Sequence, residues 1–398
     1  MPTARSLLVV ILAALSLTVS DARAVEPTTK PKFSGELPDP FVFTSGRRVE
    51  TAEDWRARRE ELLKLILHHE YGNLPPAPKH TTTAQLLSNT LRTFNAPHHQ
   101  YKLTFDNGDG RPSVSMVVDL LFPQGDGPFP VILRGDWGWR KTPDDVTKEM
   151  LARGYIVADF NRLELAQDLG RKPPQRTFGL YAMYPDGDFG ALAAWAWGYH
   201  RAIDLLVTLP QVDKQKIAIT GHSRGGKCVL LAGATDERVA LTAPNNSGCG
   251  GAGCYRVQGP KSEDLANILT VFPFWFTPRL NQFVGRENEL PFDQHSVKAL
   301  IAPRALLTTE ALADYNANPS GTLQSHRAAR EVYQFLGHPE RIAIFYREGG
   351  HEHGTADFIV LLDFADQVFF NKPSKRDWNV NPFPDHPTAF SWTAPKAK

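Results

Sequence analysis

The chain has 398 residues, 42% of them hydrophobic, with a formal net charge of +1. That length suits one large α/β domain or two medium ones. The near-zero charge leaves no electrostatic footprint for nucleic acid or an anionic membrane surface, so neither is expected as a partner.

The first 24 residues read as an address rather than as part of the fold. Arg5 precedes an apolar run from Leu7 to Val19, and Ala22-Arg23-Ala24 fits a small-residue cleavage site. This predicts a signal peptide over 1–24 and a secreted or periplasmic protein that starts near Val25. The alternative, an uncleaved anchor, has a run that is short for a membrane span. No later stretch is long and apolar enough for one, so no membrane segment is expected in the mature form.

A single domain is expected over 25–372, followed by a tail over 373–398. Residues 25–95 form its lead-in and first helix. Thr51-Ala52-Glu53-Asp54 has the character of a capping box. Trp55, Leu62, Leu63, Ile66 and Leu67 then follow helical spacing, which predicts a helix over 52–70. Pro75, Pro76 and Pro78 end it. Strand-like runs follow at 100–106, 113–122, 129–134 and 154–160, then a long buried helix over 188–208. Beyond these come strands at 216–220 and 239–243 and a Gly-rich irregular stretch from 247. The segment to 300 is too long for a bare loop and is expected to form helical insertions over the site. The order closes with a strand at 304–309, a helix over 322–336, a strand at 341–346 and a helix over 356–370. Strands alternating with helices predict a mainly parallel central sheet covered on both faces, a three-layer α/β/α sandwich.

The three cysteines do not form a disulfide framework. Cys249 and Cys254 pair in one reading, with Cys228 buried; in the other all three stay free. No His/Cys spacing suggests zinc, and no metal or cofactor is expected.

The chemistry concentrates in Ile-Ala-Ile-Thr-Gly-His-Ser-Arg-Gly-Gly at 217–226. An apolar strand meets Gly-x-Ser-x-Gly and a helix-compatible run follows, the sequence form of a nucleophile elbow in an α/β-hydrolase fold. Ser223 is the nucleophile, with Gly221 and Gly225 leaving room for the crossing backbone. A serine hydroxyl needs a base. In this fold the order is Ser, acid, His, with the His between the last strand and last helix. His351 and His353 both lie there; His351 is preferred because Gly349 and Gly350 suit a turn that presents its ring. The acid belongs after the preceding strand, where Asp314 is preferred and Glu310 stays open. The Arg224 amide and the loop 134–138 are the expected oxyanion donors, and the Arg224 guanidinium is a further one.

Several longer segments resemble the glucuronoyl esterases of carbohydrate esterase family 15. They are Gly-His-Ser-Arg-Gly-Gly-Lys at 221–227, Ala-Gly-Ala-Thr-Asp-Glu-Arg-Val-Ala at 232–240 and Asn-Asn-Ser-Gly-Cys-Gly-Gly-Ala at 245–252. Tyr184 to Gly198, Leu290 to His295 and Leu300 to Arg304 add to the likeness, which runs from about Leu37 to Phe370. The resemblance implies cleavage of 4-O-methyl-D-glucuronoyl esters, as between glucuronoxylan and lignin alcohols, with no metal. By position Ser223 matches the family nucleophile, His351 its base, Arg224 an oxyanion-holding arginine and Lys227 a lysine that bonds sugar hydroxyls. Glu263 and Trp275 match the sugar-facing glutamate and tryptophan.

One departure stands out. Many members carry the acid as glutamate after the strand that follows the elbow helix, where this chain has Asn246. Other members supply it after the later strand, in a segment that Ala313-Asp314-Tyr315-Asn316-Ala317-Asn318-Pro319 resembles. Arg224 and Lys227 beside the nucleophile are also expected to favour the anionic product. A monomer is expected. The competing readings are an acetyl-xylan or other carbohydrate esterase, and an impaired carbohydrate-binding homologue suggested by Asn246.

Overall fold

The computed structural model describes residues 31–138 and 142–396. The signal-peptide reading over 1–24 lies outside them. The strands are β1 (Lys32–Phe33), β2 (His80–Leu91), β3 (Ala96–Asp106), β4 (Val114–Leu121), β5 (Phe129–Arg134), β6 (Ile156–Phe160), β7 (Val212–His222), β8 (Leu241–Asn245), β9 (Val257–Gln258), β10 (Ala305–Ala311) and β11 (Ile342–Arg347). The helices are α1 (Ala52–Ile66), α2 (Asp144–Ala152), α3 (Gly179–Met183), α4 (Ala191–Leu206), α5 (Arg224–Thr235), α6 (Leu265–Val271), α7 (Gln294–Ala299), α8 (Pro319–Phe335) and α9 (Thr355–Phe370).

Nine strands form one sheet in the order β11-β10-β8-β7-β5-β6-β4-β3-β2. From β6 to β11 all neighbours are parallel. Beyond β6 the pairs β6–β4, β4–β3 and β3–β2 are antiparallel. The central strands β6, β8 and β10 are buried along their whole length. Side chains on both of their faces therefore need apolar cover. One core cluster joins Leu133, Ile217 and Ile219 to α4 and α5 through Trp195, Trp197, Tyr199 and Leu230. The other joins Ile132, Ala218 and Leu307 to α2 and α9 through Met150, Phe358 and Leu361. Two helical layers on opposite faces of the sheet make the expected three-layer sandwich.

Helix α1 starts where the capping box placed it. Thr51 Oγ1 accepts from the Asp54 amide at 3.1 Å, and Asp54 Oδ2 accepts from the Thr51 amide at 3.2 Å. The expected end at 70 is an α-helix to Ile66 followed by one π-helical turn, Leu67–Tyr71.

Two elements escaped the sequence reading. Strand β2 lies within the expected lead-in, but it is an edge strand exposed along almost its whole length. No face of it is buried, so no alternation marks it. Helix α2 is short and fills the space between β5 and β6. The insertion between 247 and 300 holds β9, α6, α7 and two short 3₁₀ turns. The segment expected as a tail lies along the fold. Leu37 and Ala389 share a backbone bond of 2.8 Å, and the Trp392 indole donates to Leu37 O at 2.7 Å. Among the described residues no helix is long and apolar enough to cross a membrane.

Candidate active site

Ser223 sits between β7 and α5 with φ 56° and ψ −121°. A non-glycine residue in that region stores strain, which persists only where the surroundings enforce it. They do so here through close packing. A Cβ on Gly221 would lie 2.6 Å from Gly225 O, and one on Gly225 would lie 2.5 Å from Asp136 Oδ1. The Ser223 amide is pinned to Asn245 O at 2.9 Å.

The loops after β10 and β11 meet this serine. His351 Nε2 lies 2.9 Å from Ser223 Oγ, and His351 Nδ1 lies 2.5 Å from Asp314 Oδ2. The Asp314 side chain is buried while that of His351 is 44% exposed, so the imidazole reaches both the serine and solvent. A carboxylate at Nδ1 holds the proton there and leaves Nε2 to accept from the hydroxyl. The two loops are fastened to each other. Leu312 N donates to Arg347 O at 2.9 Å and Ala313 N to Gly349 O at 3.0 Å.

Asn246, in the position where a glutamate was the alternative acid, joins the same fastening. Its Oδ1 accepts from the Ala311 amide at 3.0 Å, and its Nδ2 donates to Gly350 O at 3.4 Å.

The other two sequence candidates lie elsewhere. Glu310 is fully buried, and neither of its carboxyl oxygens has a hydrogen-bond partner. Burial, reinforced by the Asp314 charge, pushes its carboxyl up to about 8. His353 stacks on Phe358 with ring centres 4.2 Å apart. His222, which the sequence reading passed over, stands against His351 at 4.5 Å, and its Nδ1 lies 2.6 Å from Asn245 Oδ1.

The loop 134–138 corrects one expectation. The Gly135 amide donates to Tyr199 Oη at 2.7 Å, and the Trp137 amide to Phe160 O at 3.2 Å. Neither is available to a substrate oxyanion. The cause is Asp136, whose carboxylate pairs with Arg162 and accepts from the His222 amide at 3.2 Å, tying the loop down to the elbow. Arg224 begins α5, so its amide sits at a helix N-terminus, a natural place for a developing negative charge.

Ser223, Arg224, Lys227, Asn246, Ser247, Gly248, Glu263, Phe272, Trp275, Asn316, Ala317 and His351 line a pocket of about 150 Å³. The Arg224 guanidinium lies 5.0 Å from the Phe272 ring and 4.9 Å from the Trp275 ring, and its Nη1 is 2.5 Å from Asp168 Oδ2. The two rings stack at 3.8 Å. Trp275 was expected to face the sugar, but its indole N–H is given to Asp168 Oδ1 at 3.0 Å and only 4% of the residue is exposed. Lys227 Nζ donates to Ser247 O and Cys249 O, both at 2.6 Å, and lies 3.5 Å from Glu263 Oε2. Asp168, Phe272 and Asn316 had no signal in the sequence, because nothing local marks a loop residue that meets its partner across the fold.

All three cysteines are buried free thiols, so Cys249 and Cys254 are not paired. Among the described residues no group of three or more His, Cys, Asp and Glu side chains could hold a metal ion.

The site can be compared with known proteins. The family described as "Glucuronyl esterase, fungi" matches residues 106–337. The 4-O-methyl-glucuronoyl methylesterase 1 of Wolfiporia cocos is 32% identical over 386 residues, which cover 92% of this chain and 89% of that protein. Carbohydrate esterase MZ0003, from an unknown prokaryotic organism, is 30% identical and the match covers 84% of this chain and 90% of that one. Among solved structures, a family 15 glucuronoyl esterase from Caldicellulosiruptor kristjansonii superposes with a TM-score of 0.79 at 31% identity, covering 90% of this chain and 97% of that chain. A mutant glucuronoyl esterase from Sporotrichum thermophile, in complex with methyl 4-O-methyl-beta-D-glucopyranuronate, gives 0.73 at 28% identity, covering 89% and 95%.

Proposed function

The chain belongs to the glucuronoyl esterase family, carbohydrate esterase family 15, and we propose that it hydrolyses 4-O-methyl-D-glucuronoyl esters of the glucuronoxylan–lignin type through an acyl-enzyme on Ser223. The observation that carries this is the series Ser223 Oγ, His351, Asp314, held at 2.9 and 2.5 Å on the wall of a pocket that also presents Arg224 and Lys227.

The geometry orders the steps. Ser223 Oγ attacks the C6 carbonyl of the uronate ester as His351 Nε2 takes its proton. The imidazolium so formed is stabilised by the Asp314 carboxylate at Nδ1. The carbonyl oxygen becomes an oxyanion beside the Arg224 amide and guanidinium. Collapse expels the alcohol, which takes the proton from His351. Water then attacks the acyl group, His351 again accepts and returns a proton, and the uronate leaves as its carboxylate with Ser223 restored. Lys227 and Glu263 face the same pocket and are the polar groups suited to sugar hydroxyls. Trp275 acts by clamping Arg224 together with Phe272.

Asp314 supplies the negative charge that Asn246 lacks, which supports an enzyme over an impaired binding homologue. An exported monomer accords with the signal sequence at 1–24, with a cell-wall polymer as substrate and with a site assembled within one chain. The test is parallel hydrolysis of benzyl glucuronate and acetylated xylan. Uronate-ester cleavage is expected. Acetate release without it would refute the assignment.

A further inference from the structure

The pocket was expected to hold the anionic product because it contains two cations. The structure matches each of them with a carboxylate. Arg224 Nη1 meets Asp168 Oδ2 at 2.5 Å, on a side chain that is 2% exposed. Lys227 Nζ meets Glu263 Oε2 at 3.5 Å. Behind His351 lies the buried Asp314. With His351 neutral, as it is after each turnover, the pocket therefore carries more negative than positive charge around Ser223.

The reaction changes the charge of the bound molecule. The ester that enters is neutral at C6; water then releases it from Ser223 as a carboxylate, with one proton lost to solvent. A pocket without uncompensated positive charge binds the neutral ester through dipoles and hydrogen bonds but gives no Coulombic hold on the carboxylate. We propose that Asp168, with Glu263, sets this selectivity: by neutralising the two pocket cations the pair makes the site admit neutral uronate esters and release uronate anions. Asp168 is thus a positioning and specificity-determining residue. It aligns Arg224 toward the oxyanion, where the negative charge is transient, and denies the finished product a full positive charge. Its second bond, to the Trp275 indole at 3.0 Å, fixes both acceptor oxygens, so the compensation is built in rather than incidental.

This inference rests on the uronate-ester reading but is tested apart from it. Binding of sodium glucuronate and of neutral methyl glucuronate is measured by calorimetry on Ser223→Ala protein, alone and combined with Asp168→Asn or Glu263→Gln. Removing either carboxylate leaves one cation unmatched. The Kd for sodium glucuronate is expected to fall about tenfold, a Coulombic effect screened to that size at the pocket mouth, while the Kd for the neutral ester changes less than threefold. Should Asp168→Asn fail to fold, Glu263→Gln on the pocket wall decides. Glucuronate binding that is unchanged or weaker in every folded variant overturns the proposal, as does equal tightening of both ligands. Failure of the wild type to cleave benzyl glucuronate would instead defeat the functional reading, and the binding comparison would still decide the charge balance.

Discussion

Replacing Asp314 by asparagine removes one charge and almost no volume. The side chain is 4% exposed and reaches His351 Nδ1 at 2.5 Å. In the rate-limiting steps His351 is an imidazolium, so the change strips its counter-charge while an amide oxygen still accepts the Nδ1 proton. With charge centres about 4 Å apart and an effective dielectric of about 20, the lost interaction is roughly 4 kcal/mol. At about 1.4 kcal/mol per factor of ten, kcat should fall by about three orders of magnitude with little change in KM. The assay is steady-state release of benzyl alcohol from benzyl glucuronate by wild type, Asp314→Asn and Glu310→Gln. A loss below tenfold in Asp314→Asn, or a larger loss in Glu310→Gln, would show that another carboxylate supports His351.

Glu310 is predicted to matter for stability instead. Its folded-state carboxyl stands at about 8 against an ordinary 4.5, so between those values the folded chain keeps a proton that the unfolded chain has lost. Stability then falls as pH rises from about 4.5 to about 8 and levels off above. Glu310→Gln abolishes that slope and gains on the order of 3 kcal/mol over the wild type by pH 8; a melting-temperature difference constant over this range would contradict it. Gly190→Ala would drive a Cβ to 2.2 Å from Trp275 O, in backbone that cannot yield cheaply. It should cost about 3 kcal/mol and lower the melting temperature by several degrees, whereas an unchanged melting curve would mean that the 274–276 segment is free to move. Asn246→Asp keeps the oxygen that accepts from Ala311 N but turns a second oxygen toward Gly350 O, 3.4 Å away. The His351 loop should loosen and kcat fall about tenfold or more; full activity would remove Asn246 from the fastening.

The elbow was legible because its cause is local. Strand, Gly-Ser-Gly turn and helix are consecutive, and the expected strand at 216–220 lies within β7. The order of β10, the acid loop, β11 and the histidine loop was also readable, since each follows its own strand. What could not be read are the pairings that cross the fold. Asp168 meets Arg224 from 56 residues away and Trp275 from 107. Only the folded chain shows that both positive groups have partners, or that the Trp275 indole is already used. Strand β2 was hidden for the opposite reason. A polar strand exposed on both faces leaves no hydrophobic period in the sequence.

The central claim is that Ser223 carries a uronoyl group during ester hydrolysis. The most direct measurement is turnover of benzyl glucuronate by wild type and Ser223→Ala side by side. The account predicts release of benzyl alcohol and glucuronate by the wild type and a loss on the order of 10⁵-fold or more in the variant. A wild type that leaves the ester intact, or a Ser223→Ala variant that still cleaves it at the wild-type rate, would contradict it.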